Sequence, residues 1–339
     1  MNKERVFFFD LMRCIAAIAV IAIHVLAPYR HLYGDIPFDQ WATAVSVNSL
    51  SRWAVPVFIL ITGALMLSDQ RQFEPRSYLQ RRFGKVLIPF LVWSCFYALF
   101  SGVSADGFSS TIAISTLKAM PEHETYYHLG FFYYFLPLYF VIPFFQILVR
   151  RYDNLALYAL LGLWLISTLI YLLKGVGGFW SSNLWLYSGY LLLGYVLYQK
   201  VPTATKSTLV IVSLGAAALG LTVYSVISLS IDASGYTVQR WLSYKTLNTV
   251  LAAALVFALC RYFADLLPEN IKTRVSFISK HSLGIYLLHP IFLWPMKSYG
   301  WFEGHPGWVI PLWIIIAGGA SLMSSWVISR STKTQWLLP

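Results

Sequence analysis

Apolar residues along the chain fall into long runs separated by short polar connections. Ten runs can be drawn, at about 7–28, 48–67, 84–103, 130–149, 154–174, 184–200, 207–230, 243–264, 281–299 and 308–329. Each has about the twenty-residue length that crosses a bilayer as a helix. Backbone in hydrocarbon must satisfy its own hydrogen bonds, so the pattern predicts an all-α polytopic membrane protein. The expected architecture is a bundle of about ten transmembrane helices, with residues 1–339 forming one transmembrane domain. No stretch is left for a soluble domain or a long linker.

Composition agrees: 58% of residues are hydrophobic and 12% charged, against about 25% charged in soluble domains. The net charge of +11 raises the question of an anionic partner, and its placement answers it. With a cytoplasmic N-terminus, seventeen of the 25 basic residues fall on the cytoplasmic side: Lys3, Arg5, Arg71, Arg76, Arg81, Arg82, Lys85, Arg150, Arg151, Lys200, Lys206, Arg261, Lys272, Arg274, Lys280, Arg330 and Lys333. Seven fall on the other side: Arg30, Arg52, Lys118, Lys174, Arg240, Lys245 and Lys297. This asymmetry places both termini in the cytoplasm, and the excess charge is mostly topology, with no nucleic-acid partner implied. The first run continues past Ala17-Ile18-Ala19 and carries charge, unlike a cleaved signal peptide. Cys14, Cys95 and Cys260 lie within runs and give neither a disulfide framework nor a metal-ligand pattern, so no metal is expected.

The first run, FFFDLMRCIAAIAVIAIH from Phe7 to His24, contains the chemistry. A charge at the centre of a membrane helix costs about 2.5–3.5 kcal/mol on insertion scales. Arg13 and His24 are eleven residues apart, which places them only ~20° apart around a helix and ~16 Å apart along it. Asp10 precedes Arg13 by three and can pair with it. Such a face points into the bundle or a watery cavity. The plainer alternative is a snorkelling Arg13 neutralised by Asp10, with His24 bonded to a neighbouring helix.

Several segments resemble one family. DLMRCIAAIAVIAIH resembles the first-helix signature of the acyltransferase-3 family of membrane O-acyltransferases. SRWAVPVFILITGALML from Ser51 is similar to its second-helix motif, with Thr62 where serine is commoner. YLQRRFGKVLIP from Tyr78 looks like the basic lead into its third helix. YHLGFFYYFLPLYFVIP resembles the start of its fourth, with Gly130 in place of an expected tryptophan. YSGYLLLGYVL and SKHSLGIYLLHPI resemble its sixth and ninth helices. The resemblance spans nearly the whole chain in order. Its closest type is the enterobacterial common antigen O-acetyltransferase, which lacks an extracytoplasmic catalytic domain.

The resemblance implies a multi-pass enzyme of the bacterial inner membrane. It would move an acyl group, expected to be acetyl, from cytoplasmic acyl-CoA to a hydroxyl of a surface polysaccharide or its lipid-linked precursor. His24 would be the catalytic base, or would first carry the acyl group. Arg13 would orient the thioester or stabilise an oxyanion, and Asp10 would hold Arg13. Arg81, Arg82 and Lys85 would grip the phosphates of acetyl-CoA, while positive-inside charge accounts equally well for Arg71 and Arg76. At the acceptor mouth the candidates are Arg52, Asn48, His128 and His289. Trp41, Trp53, Trp180 and Trp185 are read as interfacial aromatics, and His31, His123 and His305 as loop residues without a role. The partners expected are acyl-CoA, the glycan acceptor and membrane lipids. No Walker or GxGxxG loop is present. A rival reading is a proton-coupled transporter or exporter of a glycolipid or polysaccharide precursor, with Asp10, Arg13 and His24 as a proton relay; no symmetry between halves supports it. A third is an acyltransferase-like subunit without activity.

The basic asymmetry makes a topology prediction. Cysteines introduced into 34–39 and 106–124 should be labelled from outside intact cells, whereas those in 71–85 and 273–280 should be protected. Outside labelling near Arg76 would reverse the topology.

Overall fold

The computed structural model describes residues 6–71, 73–175 and 177–338; Lys3 and Arg5 lie outside them. The described residues are 77% helical. The first run forms α1 (Phe7–Val25). The second helix starts ten residues before the run that predicts it and is broken in two: α2 (Phe38–Ser51) and α3 (Ala54–Leu67). Pro56 explains the break, because its ring excludes the carbonyl four residues back, at Arg52, from the helical ladder. The third run is likewise longer and irregular. A short α4 (Pro75–Arg82) leads through a π-helical turn, Phe83–Leu87, into α5 (Ile88–Phe100). Pro89 removes the N–H that would reach Lys85, and the turn before it widens.

A two-stranded hairpin, β1 (Val103–Ser104) with β2 (Gly107–Phe108), and α6 (Ser110–Ala119) fill the next connection. Then come α7 (Gly130–Arg151), α8 (Asn154–Lys174), α9 (Asn183–Gln199), α10 (Thr205–Asp232) and α11 (Leu247–Phe263). A polar-faced α12 (Glu269–Lys280) precedes α13 (Ser282–Ser298) and α14 (Pro306–Ser329). Among the described residues, eight segments are long and apolar enough to cross a membrane. The sixth and ninth runs are α9 and α13, at 17 residues each, ~25 Å of helix at 1.5 Å per residue and at the short end of spanning length. The protein is an all-α multi-pass membrane protein.

Helix α1 occupies the centre, packing against α2, α3, α11, α12, α13 and α14. The closest approach elsewhere is between α3 and α9. A Cβ on Gly63 would lie 2.1 Å from the Leu191 carbonyl oxygen, and one on Gly194 would lie 2.1 Å from that of Leu60. Small residues allow backbones to touch where no hydrophobic effect drives helices together. Trp41, read as interfacial, is instead 1% exposed in the core beside α10, its indole N–H donating to the Arg30 carbonyl at 3.1 Å.

Gly63→Ala and Gly194→Ala should each destabilise the protein by about 1–3 kcal/mol, the usual cost of overpacking. Gly220 in α10 faces open space, so Gly220→Ala should be neutral or slightly stabilising. Thermal unfolding in detergent, followed by tryptophan fluorescence, separates the two classes.

Candidate functional site

The N-terminal end of α1 enters a cavity of about 710 Å³ that opens on the face carrying most of the basic residues. Asp10, only 1% exposed, lies at its base and joins α1 to α12. Its Oδ1 accepts from Ser279 Oγ at 2.8 Å and its Oδ2 from Ser276 Oγ at 3.0 Å. Arg13 lies one turn on, 3.3 Å from Oδ1 and partly open to the cavity. A carboxylate held by two hydroxyls from another helix fixes the base of the guanidinium rather than merely neutralising it.

The basic cluster at α4 divides. Arg82 lines the cavity, with its guanidinium 5.9 Å from the Tyr78 ring and 5.8 Å from the Tyr139 ring. Its buried Nε has no hydrogen-bond partner among the described residues. Arg81, one residue and ~100° away, is exposed and donates to the Ser77 carbonyl at 3.0 Å. Lys85 is exposed in the π-helical turn, and neither Arg81 nor Lys85 lines the cavity. Two cations that charge counting did not single out do line it, Arg71 and Lys280. Arg71 is paired with Asp69, and Arg150 donates to the carbonyls of both, pinning that loop at the mouth.

The other end of α1 borders a second cavity, of about 360 Å³, on the opposite face. Its walls include His24, His128, Glu124 and a set of tyrosines: Tyr127, Tyr133, Tyr134, Tyr244 and Tyr286. Three imidazoles from separate elements meet here. The His24 ring lies 5.2 Å from that of His289 and 4.6 Å from Tyr127, and His128 lies 5.6 Å from His289. Neither ring nitrogen of His128, nor Nε2 of His289, has a hydrogen-bond partner among the described residues. No group of three or more histidine, cysteine or acidic side chains among those residues is arranged to hold a metal ion.

The remaining sequence candidates sit behind this wall. His289 is fully buried and stacks on His24 from the protein side, its Nδ1 3.2 Å from the Ile285 carbonyl. Arg52 supports Tyr244, with its guanidinium 4.3 Å from that ring and its Nε donating to the Leu242 carbonyl at 2.8 Å. Asn48 is fully buried between α2 and the chain after α10, 3.4 Å from the Tyr236 hydroxyl. Gly130 opens space that Glu124 uses, since the Glu124 carboxyl carbon lies 3.6 Å from where a Cβ would stand. A tryptophan at that position would have to displace it.

Three side chains line both cavities: Val55, Phe131 and Tyr286. They form a partition one residue thick, with the Tyr286 hydroxyl donating to the His128 carbonyl. Arg13 and His24 therefore lie on opposite sides of one thin septum, presented by the same helix. Such an arrangement suits a group passed between two ligands that enter from opposite faces.

A family model described as an acyltransferase domain matches residues 6–330. The chain belongs to the acyltransferase-3 family. No curated protein and no solved structure matches it. Membership implies an integral-membrane acyltransferase, which binds an acyl donor and an acceptor. In this acyltransferase-3 protein, sequence reasoning passed over Tyr286 and Tyr127, although each adjoins a histidine that it had selected. Tyr286 is one helical turn before His289, and Tyr127 directly precedes His128. Their signal was position beside a candidate, not residue type.

Proposed function

We propose that the protein is an O-acyltransferase of the bacterial inner membrane, of the enterobacterial common antigen O-acetyltransferase type. It moves an acetyl group from cytoplasmic acetyl-CoA to a hydroxyl of a surface polysaccharide or its lipid-linked precursor. The observation that carries this reading is the pair of cavities meeting at Val55, Phe131 and Tyr286, with Arg13 in one and His24 in the other. Acetyl-CoA enters from the basic face, its phosphates held by Arg82 with Arg71 and Lys280 at the mouth. Its thioester lies along Arg13 toward the septum. The tyrosine-lined cavity takes the sugar, since flat aromatic rings and phenol hydroxyls suit its alternating apolar and hydroxylated surfaces.

In the reaction His24 accepts the proton of the acceptor hydroxyl, and that oxygen attacks the thioester carbonyl. The C–O bond forms, the C–S bond breaks, and the thiolate leaves with CoA and is protonated from the solvent-filled cavity. Arg13 offsets negative charge as it develops on the donor side. The same imidazole serves if the acetyl group first rests on its nitrogen and then passes to the sugar. A proton-coupled exporter fits less well. The septum between Asp10 and His24 carries one hydroxyl, that of Tyr286, and it is committed to the His128 carbonyl.

Replacing His24 by alanine should leave an inserted, folded protein that still binds acetyl-CoA but transfers ~10²–10⁴-fold more slowly, the usual contribution of a positioned base. His24→Gln keeps a polar amide for packing yet cannot accept the proton, so it should be equally inactive. Wild-type transfer should fall on acidification, because a protonated imidazole is no base. Normal glycan acetylation by His24→Gln would shift the role to His128 or His289.

The two neighbouring arginines should separate on the donor side. Arg82→Gln should raise the acetyl-CoA KM about tenfold or more with a smaller effect on kcat, as expected for a grip on phosphates remote from the reacting carbon. Arg81→Gln should change KM by less than about twofold, the scale of an exposed charge. Equal effects from both would reduce the cluster to topology.

A further inference from the structure

Among the described residues, the wall of the tyrosine-lined cavity contains no lysine or arginine, and its one acidic side chain is Glu124. The segment that carries Glu124 is tied down from two sides. On its N-terminal side, the backbone N–H groups of Glu122 and His123 donate to the Ala119 carbonyl at 3.0 and 2.9 Å, closing the end of α6. From α7, the Tyr133 hydroxyl reaches the carbonyls of Met120 and His123 at 2.5 and 2.8 Å. Glu124 then lies over the first residue of α7, where Gly130 leaves it room. Its carboxyl carbon and Oε1 stand 3.6 and 3.7 Å from the place a Cβ would take.

The carboxylate so placed is exposed at the mouth and, among the described residues, has neither an ion pair nor a hydrogen bond. Cations stand one layer back. Arg52 lies 4.3 Å from the centre of the Tyr244 ring, Lys297 lies 4.0 Å from that of Tyr127, and Lys245 donates to Asn183 Oδ1 at 3.1 Å. None of the three lines the cavity. A ligand inside it therefore meets the negative charge directly and the positive ones only from behind lining side chains, and Coulombic terms weaken with distance. His128, four residues after Glu124 and in the same wall, is 3% exposed, and neither of its ring nitrogens is bonded among the described residues. A carboxylate accepts hydrogen bonds and donates none. Adjacent hydroxyls of a sugar are donors spaced to meet both of its oxygens.

We propose that Glu124 recognises the acceptor, its carboxylate taking hydrogen bonds from two neighbouring hydroxyls, so that the residue acylated at His24 is a neutral polyhydroxylated sugar rather than one bearing a carboxylate or phosphate. This deepens the acyl-transfer reading above and rests on it. Charge-assisted hydrogen bonds favour the neutral sugar, and like-charge repulsion turns away the acidic one. Glu124 is a specificity-determining residue; the proton transfer belongs to His24.

The test uses the full-length protein in nanodiscs, isotope-labelled acetyl-CoA, and total glycan with lipid-linked sugars extracted from cells lacking the protein. Tandem mass spectrometry locates the labelled ester, which should lie on a neutral sugar residue. Glu124→Ala should raise KM for the extracted glycan about tenfold, the scale of one hydrogen bond to a charged group, while KM for acetyl-CoA changes by less than about twofold. Glu124→Gln, which keeps one acceptor oxygen, should recover part of the loss. Gly130→Trp, which must displace the carboxylate, should reproduce Glu124→Ala. Glu122→Ala removes the same charge from the same loop outside the cavity wall and should change neither KM. The unchanged donor KM separates lost recognition from lost folding. A labelled ester on a uronic acid or phosphorylated sugar would overturn the proposal and leave acyl transfer standing, as would a normal glycan KM in Glu124→Ala. No labelled glycan at all would defeat the acyl-transfer reading, and the proposal with it.

Discussion

A charge in hydrocarbon must be surrounded by protein or water, and the rest of this structure follows from where Asp10 and Arg13 are allowed to be. They sit one turn apart near the start of α1, a helix otherwise apolar enough to face lipid on every side. The solution is to place α1 in the middle of the bundle, with six other helices against it. Two serines of α12 then bind the Asp10 carboxylate. That helix is polar and too short to span, so its position at the basic face is fixed by this contact. Removing one partner of a buried ionic group leaves the other uncompensated, which is far more costly than never having buried it. The ion pair is thus a positional constraint first and a source of stability second.

Once α1 is central, its periodicity does the rest. Eleven residues return a helix almost to the same direction after three turns. Arg13 and His24 consequently look out along one line from opposite ends of one rod. The surrounding helices leave space at both ends and close between them with Val55, Phe131 and Tyr286. The three side chains shared by both linings, Val55, Phe131 and Tyr286, separate the two cavities. That separation also removes the need for the protein to carry a large anionic donor across the bilayer; in the proposed reaction only the acyl group crosses.

The membrane class and the helical nature of the apolar runs were legible because they depend on local periodicity and on hydropathy. What could not be read was which side of a helix ends up against a cavity. Arg81 and Arg82 are equivalent as charges, and only the direction of α4 against Tyr78 and Tyr139 distinguishes them. Asn48 looked like a mouth residue because it opens the second run, and His289 because it closes the YLLHP segment. The second helix, however, begins at Phe38 rather than at its apolar core, which moves Asn48 inward. His289 was displaced from the wall by His24 itself, whose ring stacks over it.

The irregularities of the helices fall where the cavities are. In a bilayer, freed carbonyls and widened turns are tolerated only where protein buries them or a cavity hydrates them. Pro56 breaks the second helix at Arg52 and Trp53, next to Val55 of the septum. Pro89 follows the π-helical turn Phe83–Leu87, between Arg82 and Val86 of the basic cavity on one side and α5 on the other. Each proline thus loosens a helix beside empty space rather than within the dense packing of α3 against α9, where Gly63 and Gly194 leave no room for even a methyl group. The same division explains how one bundle can be both rigid and open. Close backbone contact between α3 and α9 makes one part of the bundle dense, while the proline-loosened starts of α3 and α5 border the chambers that a single imidazole and a single guanidinium have to serve.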